Sequence, residues 1–251
     1  MILSKKYSVA LADLFCDESR SEAGADIVRY NYFSTETAGT RMAPFHTIWI
    51  NLTRSADDLL AAIHRDTRKE IRRAERDNAI AEIFRSPGPE LIHEFCEAFN
   101  RSVAVKGLPP IDNSDLAHLS NSGSLLLSRV CQQYGPVLAW HVYYQGNRRC
   151  ILCYSVSMHR ATEGVNGQAI GRGNRYLHWH DLLYFQKNGF EVMDMGGWYG
   201  GSDDSELLLV NRFKEEFGGK VMDSYNSLHA LTMKGRGALK LLELKRLFRN
   251  S

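Results

Sequence analysis

Three groups of residues have the types and the spacing that chemistry needs. The stretch Gln168-Ala-Ile-Gly171-Arg172-Gly173-Asn174 follows an apolar run and leads into a segment of helical character. Glycines there let the backbone close on an anion, and the free N–H groups and dipole of a helix start attract phosphate. Arg172 and Arg175 add charge suited to a pyrophosphate. The second group is cationic. Arg65, Arg68, Lys69, Arg72, Arg73 and Arg76 fall on one side of the segment 55–78, opposite Leu60, Ile63, Thr67, Ile71 and Ala74. Such a stripe either holds a polyanion, with Arg68 and Arg72 as first candidates, or is a solvated face neutralised by Asp66, Glu70, Glu75 and Asp77. The third group surrounds the glycine-rich stretch 196–201. Asp194 before it, and Asp203 and Asp204 after it, are candidates for a general base. Asp194 is equally suited to anchoring the loop as an acceptor. Trp198 and Tyr199 offer rings that could stack on a sugar or a nucleotide base, or pack in the core.

Two patterns argue against a metal. His178 and His180 flank Trp179, and two positions apart on a helix they point to opposite sides. Cys150-x-x-Cys153 has strand-like flanks, and positions three apart on a strand face opposite ways. No metal is expected.

The elements that must position these groups follow from periodicity. His46–Leu52 alternates as a strand, and Ser55 caps a helix over 55–78. A strand at 79–85, a helix at 89–105 and a short helix at 112–119 come next. Strands at 124–131, 137–144 and 148–156, separated by Gly135-Pro136 and Gly146-Asn147, form an antiparallel meander. A looser segment, 159–167, leads into the glycine-bearing loop and a helix from 175 to 188. A strand at 190–195, a flexible loop at 196–201, a helix at 205–217, a strand at 221–231 and a basic helix at 238–249 complete the chain. Before residue 45 the strand signals are weak, Ile27–Phe33 being the clearest.

Composition bounds the class. The 251 residues are 44% hydrophobic and 24% charged, as in ordinary globular proteins. No apolar run is long enough to span a bilayer, and the first residues lack a convincing signal peptide. Cys16, Cys96, Cys131, Cys150 and Cys153 are odd in number and scattered, which reads as reduced thiols in a cytoplasmic protein. A net charge of +2 is too small to select a nucleic-acid partner.

From residue 79 the order of elements resembles the GNAT superfamily of N-acyltransferases. Gln168-x-x-Gly171-x-Gly173 is similar to that superfamily's Q/R-x-x-G-x-G/A signature, and Asn211-Arg-Phe213-Lys-Glu-Glu-Phe-Gly218 stands in the place of its next helix. A narrower likeness is to FemAB-like proteins. Arg68-Lys-Glu-Ile-Arg-Arg-Ala74 resembles their R-x-x-I-R-x-A stretch. Gly189-Phe-Glu-Val-Met-Asp194-Met-Gly-Gly197, followed by Phe213-Lys214 and Phe217-Gly-Gly219, resembles their "G…yDfGG…FK..FGG" pattern. This likeness covers about residues 55–220. Full FemAB proteins carry two GNAT-like halves, and residues 1–78 are too few for a whole first half.

The resemblance implies an α/β (α+β) fold, with a mixed, mostly antiparallel sheet flanked by helices. It implies a partial N-terminal subdomain, 1–78, and an acyltransferase domain, 79–251. An acyl donor, acyl-coenzyme A such as acetyl-coenzyme A, would be held by Gln168, Gly171, Arg172, Gly173, Asn174, Asn211 and Phe213. Lys214 stands where the acetyl-coenzyme A enzymes often carry a tyrosine; in FemAB-like proteins that lysine lies beside the transferring acyl group, where an ammonium can stabilise an oxyanion. Lys214, Asp194 and Tyr199 are the candidate catalytic residues, and Arg68, Arg72, Trp198 and Asp203 the candidate substrate contacts. The acceptor implied is an amine of an envelope saccharide or peptide precursor, nucleotide- or lipid-linked. Aminoacyl-tRNA as the donor is the alternative, and a GNAT-derived binding module without turnover is a third reading.

Overall fold

The structure, a computed structural model, describes residues 2–6, 8–17, 24–38, 40–105, 107–158 and 167–249. Its elements run β1 (Ile2–Lys6), β2 (Val9–Phe15), β3 (Ile27–Phe33), β4 (Ala43–Asn51), α1 (Ala56–Ala62), α2 (Arg65–Arg76), β5 (Ala79–Arg85), α3 (Pro89–Ala104) and α4 (Asn113–Asn121). Then follow β6 (Leu125–Gln132), β7 (Val137–Gln145), β8 (Arg149–Ser157), α5 (Gly167–Lys187), β9 (Val192–Trp198), α6 (Ser205–Glu215), β10 (Lys220–Ala230) and α7 (Met233–Arg249). The fold is α/β, with mostly antiparallel strands flanked by helices. Among the described residues no helix is long and apolar enough to cross a membrane.

Contacts divide the chain into residues 1–46 with 222–251, and residues 47–221. The expected boundary at residue 78 therefore does not coincide with the packing. The segment 47–78 belongs to the larger unit because the buried face of α2, at Thr67, Ile71 and Ala74, packs on α5. In the smaller unit β1 and β2 are antiparallel, β2 and β3 parallel, and β3 and β10 antiparallel. Its core is built on Ala12, Leu14, Val28, Tyr30 and Phe33.

The larger unit carries the strand order β4-β9-β8-β7-β6-β5. Strand alternation sorts its core onto two faces. Leu125 and Leu127 of β6, with Trp140 and Val142 of β7, meet α3 and α4. Leu126 and Val130, with Leu138 and Tyr143, turn the other way and meet Leu177, Leu182 and Phe185 of α5.

Two expected elements differ. The helix foreseen over 55–78 is broken into α1 and α2, because Ile63 takes an extended conformation that buries its side chain and His64 caps the second helix. The glycine-bearing stretch is no loop: α5 begins at Gly167, so Gly171 and Gly173 are helical residues. A helix tolerates Gly173 because the helix there lies against β7, where a Cβ would come within 2.9 Å of Leu138 Cδ1. The segment expected to be looser, 159–166, lies outside the described residues.

Candidate active site

β8 and β9 run parallel but pair only through Arg149–Val192, Cys150–Met193 and Ile151–Asp194. Beyond that last pair a cavity of about 360 Å³ opens between the two strands, α5 and α6. Its polar lining is Ser155, Asn174, His178 and Lys214. Phe213, Leu209 and Val210 of α6 supply an apolar side, the last two being exposed on their outer faces.

Lys214 reaches the cavity from the last turn of α6, and its Nζ donates to the Gly197 carbonyl at 2.5 Å. Burial pushes its pKa down from 10.5 to about 8, and the Asp194 carboxylate partly opposes that fall. The chain comes this close only because residue 196 is glycine. Its φ is +76°, and a Cβ there would stand 2.9 Å from the Leu152 carbonyl oxygen and 3.9 Å from Lys214 Nζ.

Asp194 is buried, and its carboxylate is engaged in hydrogen bonds within the protein. It accepts from Trp49 Nε1 at 3.1 Å, from the Gly196 amide at 2.7 Å, and from the Arg149 guanidinium, which itself stacks 4.1 Å over the Trp49 ring. Burial lifts its pKa above the ordinary carboxylate value, and these donors act against the rise. It does not line the cavity. The other acids are also committed: Asp204 caps α6 by accepting from the Leu207 amide, and Asp203 accepts from the Tyr199 hydroxyl. Tyr199 is thereby turned away from the lining, and its backbone N–H and C=O are both held by the Asn211 side chain, at 2.8 and 2.7 Å. Asn211 fixes the β9–α6 connection. Trp198 donates to Glu215 at 2.7 Å.

The expected phosphate loop is corrected in the same way. Only the first four amides of a helix lack intrahelical acceptors, so the amides of Gly171 and Gly173 lie beyond the anion-binding turn. Arg172 pairs with Asp77 at 3.1 Å and Arg175 with Glu216 at 3.1 Å. Of the residues expected to hold the donor, Asn174 and Phe213 reach the cavity; Gln168 is exposed at the start of α5. The arginine stripe is largely accounted for as well. Arg68 folds back on the end of α1, donating to the carbonyls of Leu60, Ala61 and Ile63 at 3.3, 2.8 and 2.5 Å. Arg65 and Lys69 pair with Asp66, and Arg73 with Glu70. Arg72 and Arg76 are exposed and have no ion pair among the described residues.

The sequence reading missed one cluster. Asn174, His178 and Asp181 fall at i, i+4 and i+7 on one face of α5, and His141 and Tyr143 fall on the facing side of β7. His141 Nδ1 lies 2.7 Å from Asp181 Oδ2, and its Nε2 lies 2.8 Å from Asn174 Oδ1. The Tyr143 hydroxyl donates to the same Asp181 oxygen at 2.8 Å, and burial first, then the Asp181 carboxylate, pushes the tyrosine pKa well up. His178 stacks on His141 with ring centroids 4.0 Å apart and planes at 33°. His178, Asp181 and His141 are the residue types of a metal site, and their ligand atoms lie within 4.8 Å of one another. Both His141 nitrogens already face hydrogen-bond partners, so this ring is engaged in a hydrogen-bond network rather than aimed at an ion.

No protein-family model and no curated protein matches the sequence. Solved structures do. FemX superposes with a TM-score of 0.63 at 12% identity, over 96% of this chain and 85% of that one. The C-terminal domain of a putative lysylphosphatidylglycerol synthetase from Agrobacterium fabrum gives 0.57 at 15% identity, over 98% and 84%. L-PGS from Bacillus licheniformis gives 0.52 at 13% identity, over 88% and 73%. The chain thus shares the fold of FemX and of the synthetase domain, and the likeness extends past residues 55–220 to nearly the whole chain.

Proposed function

We propose that the chain is an acyl-group transferase that joins a carboxyl-activated group to an amine in the cavity between β8 and β9. The observation that carries this reading is Lys214, a half-buried lysine whose ammonium is destabilised by its surroundings and lies against a backbone carbonyl inside the lining. Attack by an amine puts negative charge on the carbonyl oxygen. A cation fixed where that charge appears stabilises the transition state more than the ground state. With a pKa near 8, the same ammonium can also give a proton to the departing oxygen or sulfur. Asp194, Gly196 and Asn211 act by holding the β9 end and the start of α6 in place.

The donor assigned is an aminoacyl ester, as carried by tRNA. Lysine rather than tyrosine at 214 supports it, and the glycines that argued for coenzyme A are absorbed into the helix and its packing. Acyl-coenzyme A is the second reading, favoured by the first turn of α5, which carries no acid to repel a phosphate. The acceptor assigned is an amine of an envelope precursor, saccharide or peptide, linked to a nucleotide or a lipid. The test offers bulk aminoacyl-tRNA and acetyl-coenzyme A, each with a lysine-containing nucleotide-linked muramyl pentapeptide and with glucosamine, and reads product mass. Transfer from one donor, lost in Lys214→Met, is expected. Transfer from neither donor overturns the reading.

A further inference from the structure

The lysine accounts for charge on the oxygen; it leaves the proton of the attacking amine without a destination. The acids that sequence suggested for this task, Asp194, Asp203 and Asp204, are each engaged elsewhere and none lines the cavity. Two groups in the lining other than Lys214 could take part in proton transfer, Ser155 and His178, and of these only an imidazole has a basic lone pair near neutral pH. His178 is 1% exposed, yet it contributes to the cavity wall. Its Nδ1 has no hydrogen-bond partner among the described residues, and it sits against the His141 ring on one side and Phe213 and Phe217 on others.

The charges around it are arranged to keep it ready. His141 Nδ1 faces Asp181 Oδ2 and its Nε2 faces Asn174 Oδ1, so the ring stacked on His178 is held from both ends. Burial first, and then the His141 ring and the charges of Lys214 and Arg175, hold the His178 pKa well below the ordinary histidine value. His178 therefore enters as neutral imidazole while Lys214, in the same cavity wall, is an ammonium.

We propose that His178 is a catalytic base, taking the proton from the attacking amine, and that Asn174, His141, Asp181 and Tyr143 are positioning residues that fix its ring. The inference rests on the acyl-transfer reading. In the step, the amine nitrogen bonds to the acyl carbon, and one N–H proton of the amine passes to the His178 nitrogen that bears none. The bond from acyl carbon to the leaving oxygen or sulfur then breaks, and the leaving atom takes a proton from the Lys214 ammonium. Transfer of the proton from His178 to the Lys214 amine restores both groups, so the net products are an amide and a protonated leaving group.

The experiment uses the full chain, with the donor and acceptor that the wild type accepts in the assay above. His178→Gln keeps a polar side chain of similar reach and is expected to lower kcat roughly hundredfold while leaving KM for both substrates within about a factor of three, the size a lost general base implies. His178→Ala opens space beside Phe213, and added imidazole should restore its rate by about tenfold or more if the base is what was lost. Imidazole does not repair a merely structural defect. As a substrate-free measurement, 15N-imidazole spectra of the wild type, with His178 assigned by its disappearance in His178→Gln, should show a neutral ring at neutral pH. A charged His178 ring, or wild-type kcat in His178→Gln, overturns the inference and leaves the transferase reading standing. Wild-type protein that transfers from neither donor overturns both.

Discussion

Lys214→Met keeps the length and the apolar stem of the side chain and removes only the charge. Lys214 is the only lysine or arginine among the described lining residues, so no neighbouring cation can replace it. Losing one oxyanion-stabilising donor costs about 3 kcal/mol, or roughly a hundredfold in turnover. Stability should move the other way. Because burial lowers the pKa from 10.5 to about 8, the folded state holds this proton less tightly than the unfolded chain does. Below about pH 8 both states are charged, and the buried ammonium is a cost. Between about 8 and 10.5 the unfolded state binds more protons, so this residue makes stability rise with pH across that window. Methionine removes the cost, so the melting temperature at neutral pH should be unchanged or higher, and the alkaline rise should vanish. Steady-state kinetics with product mass and thermal melts across pH measure both. Wild-type turnover refutes the charge argument, as does an activity loss that only tracks a fallen melting temperature.

Lys214→Arg stays charged at every accessible pH, so the fall in wild-type turnover expected above about pH 8 should be missing from its pH profile. Gly171→Ala meets nothing nearer than the Arg175 guanidinium at 3.8 Å and should stabilise the helix by about 1 kcal/mol without loss of activity, whereas Gly173→Val, driven into Leu138, should destabilise by about 2 kcal/mol in denaturant titration. Arg68→Ala should cost about 2 kcal/mol because it frees the carbonyls at the end of α1, and should leave RNA binding alone; Arg72→Ala with Arg76→Ala should flatten the salt dependence of tRNA affinity and leave stability alone. Tyr143→Phe removes a buried donor to Asp181 and should cost about 1 kcal/mol by the same titration.

Much of this was legible in the sequence, and the failures have physical causes. Lys214 could be found because its place, three residues after Asn211 and four before Gly218, is a local pattern on one helix. The meander of β6, β7 and β8 is visible because alternation and turn residues are local as well. Asp194 could not be assigned from the chain: whether it is base or anchor depends on Arg149 and Trp49, which lie 45 and 145 positions away. The glycines at 171 and 173 read as a loop because glycine disfavours helix, and only the β7 surface at Leu138 turns that weakness into a packing requirement. The cluster around His178 had a signal, Asn-x-x-x-His-x-x-Asp at helical spacing with His-x-Tyr at strand spacing. That signal needs the knowledge that α5 lies on β7, which neither period contains.

The order in which the two cavity groups lose their protons decides whether the site can work. Amine acylation needs an acid near the oxygen and a free lone pair near the nitrogen at the same moment. Burial alone lowers the pKa of both lysine and histidine, and it would not by itself fix which of them is charged. The neighbours of each group do. Asp194, held by Arg149, Trp49 and Gly196, supports the charge on Lys214 and keeps its pKa at about 8. Burial first, and then the His141 ring and the charges of Lys214 and Arg175, hold the His178 pKa well below the ordinary histidine value. Lys214 is also one of those charges, so an ammonium there itself favours the neutral imidazole. Two environments that push neighbouring titrations apart are how one site holds an acid and a base together near neutral pH. The reverse assignment, a charged His178 beside a neutral Lys214, would place the cation in the more enclosed position, where His178 is 1% exposed.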